Sequence, residues 1–287
     1  MSSGREVYWR RKDRFILLVF DKARTATIFL LFALICALRA ESLAQQPFFT
    51  DDTDTTDRRK FHFEFTNEFD ILQRSAFPNL RQNTSSFTLN YGLTDRVELG
   101  LNIPVIAIFN DPSNRPRSAF GFGDTDLAVK YNFRKERPDS SAPALAVTFN
   151  LKVPTGDKDR QLGSALLDYS FNGIAQKALT DRVTLRLNTG VLFSGDTLTG
   201  AVGIKTRGTV FTGGASLVKQ FRPKLDLGVE VTGALSSNTD LNAGLLQFQI
   251  GGNYALKEGM TLDFGLLGGH YPGSPRAGAQ LGISVDF

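Results

Sequence analysis

The chain has 287 residues, and 41% hydrophobic residues with a mean hydropathy of −0.13 exclude a bundle of membrane-spanning helices. Charged residues at 22% and aromatic residues at 11% exclude a disordered chain. One cysteine and two histidines exclude a zinc centre and a disulfide framework. The net charge of +4 arises within the first 44 residues, since the remainder carries equal numbers of basic and acidic groups. A basic nucleic-acid-binding domain is therefore not indicated, and no nucleic acid is expected as a partner.

The chain begins with the pattern of an export signal. A basic stretch precedes the apolar run Thr25–Leu38, which is shorter than the roughly 20 residues that span a bilayer. The small residues Ser42 and Ala44 then stand at the −3 and −1 positions before Gln45. This order predicts a secretory signal peptide over residues 1–44 and a mature chain without cysteine. A buried core helix is the alternative interpretation of the apolar run.

From residue 58 onward, apolar and polar residues alternate with period two. Phe61, Phe63 and Phe65, for example, alternate with His62 and Glu64. This pattern is typical of β-strands with one apolar face. Twelve strands are predicted, over 58–71, 84–92, 95–107, 124–134, 142–154, 166–178, 181–194, 207–221, 224–236, 243–256, 259–270 and 276–287.

The connections between these strands favour a barrel in a membrane. Tight turns such as Arg222-Pro223 alternate with longer links rich in Gly, Ser, Asn, Asp and Pro. Outer-membrane barrels have even strand numbers, with short periplasmic turns at one end and long loops at the other. We therefore predict an all-β fold, a transmembrane antiparallel up-and-down β-barrel of about 12 strands over residues 58–287. It would lie in lipid of the bacterial outer membrane. A soluble secreted β-protein is the alternative.

The last strand ends on an aromatic residue at the very end of the chain. Leu281, Ile283, Val285 and Phe287 form its apolar row. This pattern looks like the signal read by the barrel assembly machinery, which is therefore an expected partner.

Three short motifs resemble one family. They are Pro47-Phe48-Phe49-Thr50-Asp51-Asp52-Thr53, then Gly121-Phe122-Gly123-Asp124 followed by Lys130-Tyr131, and Pro154-Thr155-Gly156-Asp157. In this order they resemble the outer-membrane family described as the MetA pathway of phenol degradation. The resemblance runs over residues 47–287 and implies a transporter-like barrel. It indicates no particular substrate.

The polar faces of the strands carry charged residues that would line the lumen. A polar passage whose mixed charges set selectivity is one interpretation, and a lumen plugged by ion pairs is the other. Twelve strands fall between the plugged small barrels and the open porins, so the sequence leaves both open. The predicted lumen-lining residues are Glu64, Glu98, Asp126, Lys130, Lys152, Arg186, Asp226, Glu230 and Asp263.

Other chemistry finds little support in the sequence. His270 and Ser274 are the one pairing that would suit hydrolysis. Residues 50–54 form an acidic run that resembles a calcium-binding loop, but it lacks the Gly and the distal Glu of an EF-hand. Residues 45–57 are expected to be a solvated periplasmic tail. We predict no catalytic residue, no metal and no cofactor. The predicted function is passive passage of small molecules, hydrophobic or aromatic ones among them. The alternative is a closed barrel with a structural or surface-binding role.

Overall fold

The computed structural model describes residues 47–113, 118–137, 140–194, 208–236 and 244–287. The predicted signal peptide lies outside the described residues. In the described part of the chain, no helix has the length and hydropathy needed to cross a membrane.

One antiparallel β-sheet closes on itself. Strands that are neighbours in chain order pair with each other, except that β4 and β5 both pair with β3 and not with each other. The pairing of β1 with β13, as well as with β2, completes the ring. The strands are β1 Phe61–Ile71, β2 Asn79–Thr94, β3 Val97–Asn110, β4 Ala119–Phe122, β5 Thr125–Arg134, β6 Ala144–Val153, β7 Asp168–Thr180, β8 Val183–Ser194, β9 Gly208–Arg222, β10 Leu225–Ser236, β11 Leu245–Lys257, β12 Met260–Gly269 and β13 Ala277–Asp286.

The thirteen segments make a barrel of twelve strands. Segments β4 and β5 both pair with β3, one after the other along its length, so together they occupy one position in the wall. The sequence placed residues 108–123 in a link, and this is wrong for β4. Glycines at 121 and 123 interrupt the alternation there and conceal a short strand. The first strand begins at Phe61 rather than at residue 58.

The alternation of apolar and polar residues places apolar side chains on the outer surface of the barrel and polar side chains on its inner surface. On β11 the outward Phe248 and Ile250 are 58% and 60% exposed, whereas the inward Gln249 is 3% exposed. A soluble barrel would have the opposite arrangement. In lipid this one is favourable, because hydrocarbon covers the apolar face while closure satisfies the backbone hydrogen bonds.

At the short-turn end, further contacts join the first and last strands, which pair along their whole length. The Phe61 N–H donates to the Phe287 carbonyl at 2.7 Å, and the Phe287 N–H donates to the Phe61 carbonyl at 2.9 Å. The two rings stack with centroids 5.7 Å apart. His62 on β1 also bonds Asp286 and Glu64 through its two ring nitrogens.

We expect Phe287→Ser to reduce the amount of assembled barrel in the membrane far more than Phe61→Ser does. Both variants remove the contact between the rings of Phe61 and Phe287, and Phe61→Ser removes the contact with Tyr91 as well. Burial of one Phe is worth about 1.5–3 kcal/mol, which a closed barrel tolerates. Loss of the terminal aromatic would in addition remove the assembly signal. The heat-modifiable fraction on gels measures the difference, and equal fractions for the two variants would contradict the signal hypothesis.

Candidate functional site

The segment before β1 lies inside the barrel. Phe48, Thr50, Asp52 and Thr53 are each at most 4% exposed, and their contacts are with the inner wall. The expectation of a solvated tail is therefore wrong for this segment, which we call the tail (residues 47–57). Its polar groups are buried because the lumen supplies partners of opposite charge and matched hydrogen-bonding groups.

The start of the tail is held by strands β9 to β11. The Glu230 carboxylate accepts hydrogen bonds from the Phe49 N–H at 3.0 Å, the Thr50 N–H at 2.7 Å and the Thr50 hydroxyl at 3.0 Å. The Thr50 hydroxyl also lies 2.6 Å from the Ser216 hydroxyl. Gln249 donates to the Pro47 carbonyl at 2.6 Å. Charge-assisted bonds of this kind are stronger than neutral ones, so Glu230 is the main anchor at this end.

The acidic part of the tail meets Lys130 on β5. The ammonium lies 2.8 Å from Asp51, 3.7 Å from Asp52 and 3.9 Å from Glu98, and it donates to the Asp54 carbonyl at 3.2 Å. Lys130 is 4% exposed, so the ion pairs are largely shielded from solvent.

Other wall residues bind the same part of the tail. Arg186 lies 3.3 Å from Asp52, and the Asn132 amide donates to the Thr53 carbonyl at 2.6 Å. Glu98 accepts from the N–H and the hydroxyl of Thr56. The tail thus crosses the lumen between opposite parts of the wall.

Inward-facing glycines make room for the tail. A Cβ added at Gly228 would lie 2.8 Å from the Phe48 ring, and one added at Gly251 would lie 3.0 Å from Pro47. Gly214 similarly faces Thr50. Three neighbouring strands therefore lack side chains where the tail passes, so its position is built into the wall.

We expect the tail to dock more strongly in the lumen at lower pH. Burial raises the pKa of Asp51 to about 6, the charges of Asp52 and Glu98 raise it further, and Lys130 opposes them. Burial also raises the pKa of Asp54. A carboxyl whose pKa is higher in the docked state binds its proton more tightly there, so docking strengthens as the pH falls from 7 to 5.

A spin label on Phe49→Cys, a tail position that is 48% exposed and borders the cavity, measures this pH dependence as label mobility. The label should become less mobile at pH 5 than at pH 7, and Asp51→Asn should reduce the change. Mobility that increases with acid would contradict the expected sign.

A loop narrows the opposite end of the lumen. The Asp124 carboxylate accepts from the Gly156 N–H at 3.0 Å, the Ser164 N–H at 2.8 Å and the Ser164 hydroxyl at 3.0 Å. Two of the motifs, Gly121–Asp124 and Pro154–Asp157, therefore meet here. The loop they hold places Leu162, 1% exposed, against a small apolar cluster on the wall formed with Ile106, Ile108 and Ala119.

Between the tail and this loop the lumen holds a cavity of about 690 Å³. Phe48, Phe49 and Asp51 bound it on one side, and Leu162 and Gly163 bound it on the other. Its wall mixes hydroxyl and amide side chains with eight charged residues and a similar number of apolar ones. The hydroxyl and amide residues are Gln82, Thr84, Ser86, Thr88, Asn90, Asn102, Thr148, Asn150, Ser170, Asn172 and Thr212.

The predicted lumen-lining residues fall into three groups. Glu98, Lys130, Arg186 and Glu230 bind the tail. Asp126 and Lys152 lie on the cavity wall, where Lys152 pairs with Asp168 at 2.5 Å and Asp126 accepts from Asn102 at 3.3 Å. The remaining residues lie near the short-turn end. They are Asp263 bonded to Asn253, Asp226, which pairs in register with Asn253, and Glu64, which lies beside His62 and also borders the cavity.

The residues considered for other chemistry have structural contacts. The Ser274 hydroxyl donates to the Leu246 carbonyl at 2.9 Å and accepts from the Leu246 N–H at 3.0 Å. It therefore fixes a loop. Within the described residues, no group of three or more His, Cys, Asp or Glu side chains could hold a metal ion.

The family model described as "Putative MetA-pathway of phenol degradation" matches residues 45–287. The chain belongs to this family. No curated protein matches the sequence.

Several solved outer-membrane proteins share the fold. The COG4313 outer membrane channel from Pseudomonas putida F1 is 15% identical, with a TM-score of 0.60 over 84% of this chain and 99% of that one. The NanC porin is 8% identical, with a TM-score of 0.54 over 78% and 98%. The KdgM porin is 10% identical, with a TM-score of 0.51 over 79% and 99%. With its apolar exterior and closed sheet, the family member described here is an outer-membrane β-barrel.

Proposed function

We propose that this barrel lets small molecules diffuse across the outer membrane, and that they occupy the lumen cavity during passage. The observation that carries the proposal is the cavity of about 690 Å³ between the tail and the loop that carries Leu162. A barrel with only a structural role would have no need of an internal space of this size. We assign the chain no enzymatic role.

The cavity wall suits molecules that combine an apolar part with hydrogen-bonding groups. Hydroxyl and amide side chains supply donors and acceptors, and Phe48, Pro104 and Leu162 supply apolar contacts. Lys152 pairs with Asp168, but carboxylates outnumber lysines six to two along the cavity, so the wall disfavours anions. The preferred permeants are therefore neutral small molecules, phenol-like aromatic compounds among them.

For a molecule to pass, both the tail and the loop that carries Leu162 must move, because each narrows the lumen. The tail is held by hydrogen bonds and ion pairs, and the loop that carries Leu162 is held by hydrogen bonds to Asp124, so neither is held by extended sheet. Segments of this kind open at lower free energy than the wall around them. The charged lumen residues would then tune which molecules pass.

Liposome swelling tests the proposal. Refolded barrel should admit neutral solutes that fit the cavity faster than anionic solutes of equal size, and deletion of residues 45–57 should raise both rates. Absence of swelling for the intact barrel and for the deletion variant alike would contradict transport and favour a closed barrel with a structural or surface-binding role.

A further inference from the structure

Basic side chains lie on two tight turns at the short-turn end and on the end of β9 beside them. The turns after β7 and β9 become neighbours because β8 and β9 pair, and the Gln220 N–H donates to the Arg182 carbonyl at 2.8 Å. Arg182, Lys219, Arg222 and Lys224 are all exposed. We call these four residues the basic patch. They outnumber the single carboxylate on the same two turns, Asp181, so the patch is strongly positive.

The patch extends onto the lipid-facing wall. Lys219 belongs to the outward row of β9, between Leu217 and Phe221, which are 41% and 52% exposed. Its ammonium lies 5.0 Å from the centre of the Phe221 ring. A cation held over an aromatic ring at the edge of the apolar band stands at the depth of the lipid phosphates.

From this geometry we propose that the basic patch binds the phosphate groups of anionic phospholipids in the periplasmic leaflet, with phosphatidylglycerol as the preferred lipid. Short turns of outer-membrane barrels face the periplasm, so this leaflet is the one within reach. A zwitterionic lipid neutralises its own phosphate with an amine. Phosphatidylglycerol leaves the charge available to Lys and Arg donors.

Lipid titration of the refolded barrel, followed by native mass spectrometry, tests the proposal. The patch variant carries Gln at positions 182, 219, 222 and 224. The matched control carries Gln in place of Arg74, Arg81, Lys158 and Arg160, four exposed basic residues at the opposite end. The patch variant should bind phosphatidylglycerol at least about fivefold more weakly than the control, and binding should weaken in high salt.

Three outcomes would overturn the proposal. These are equal affinity of the two variants for phosphatidylglycerol, no preference of the unmodified barrel for phosphatidylglycerol over phosphatidylcholine, and preferential capture of lipid A phosphates by the patch. Heat modifiability on gels verifies that each variant is folded. If the fourfold variant is not, Lys219→Gln with Lys224→Gln serves in its place, and an affinity equal to that of the control would again overturn the proposal.

Discussion

Replacing Lys130 with Met is expected to release the tail from the lumen. The substitution leaves Asp51, Asp52 and Glu98 without the ammonium that lies within 4 Å of each of them. Removing one partner from a buried ion pair costs about 3–5 kcal/mol, and undocking is the way to avoid that cost because it returns Asp51 and Asp52 to water. Single-channel recordings should show a higher conductance, and a cysteine at position 53 should react with maleimide.

Lys152→Met is the matched control for this experiment. It also removes a lysine from the lumen, but its partner at 2.5 Å is Asp168 on β7 rather than the tail. The cysteine at position 53 should remain protected in this background. Equal labelling in the two variants would mean that Lys130 does not hold the tail.

Phe149→Arg is expected to prevent folding, whereas Asn150→Arg is expected to fold. Phe149 is on the lipid-facing side of β6, 36% exposed, and its ring lies 5.1 Å from that of Phe171. An Arg near the bilayer midplane costs about 2–4 kcal/mol. Asn150 lines the cavity and donates to the Ser170 hydroxyl at 3.3 Å, so an Arg there enters a space with water and polar groups.

The folded fraction on gels after refolding into lipid distinguishes these two variants. Folding of Phe149→Arg together with failure of Asn150→Arg would mean that the two faces of β6 are exchanged. A shift of one residue in register produces that exchange.

The facing of most strands could be predicted from the sequence because lipid and lumen impose opposite polarity on alternate residues, whereas Gly and Ala blur the alternation in β7 and β9. Phe149 and Lys152 on β6 illustrate this local rule, which needs no knowledge of partners. The short strand β4 could not be predicted from this rule, because the glycines at 121 and 123 have no side chain that would show an alternation.

The site could be predicted only in part. The charged lumen residues follow from alternation, but the role of Glu230 does not, since Thr50 is 180 residues away in the chain. Nothing local distinguishes an acidic tail bound by Lys130 from one exposed to solvent. The inward glycines at 214, 228 and 251 are the one available signal, because three neighbouring strands leave the same part of the lumen unfilled.

The tail is covalently joined to β1, and this makes it a tethered ligand of its own barrel. Undocking does not dilute it, since the short connection to Phe61 keeps it near the lumen at a high effective concentration. Loss of one anchor, such as Lys130, therefore lowers the fraction of time that the tail is docked, while the released tail stays close enough to dock again. Each anchor that is removed therefore increases the fraction of time that the tail leaves the lumen unblocked, and this fraction can be adjusted in steps.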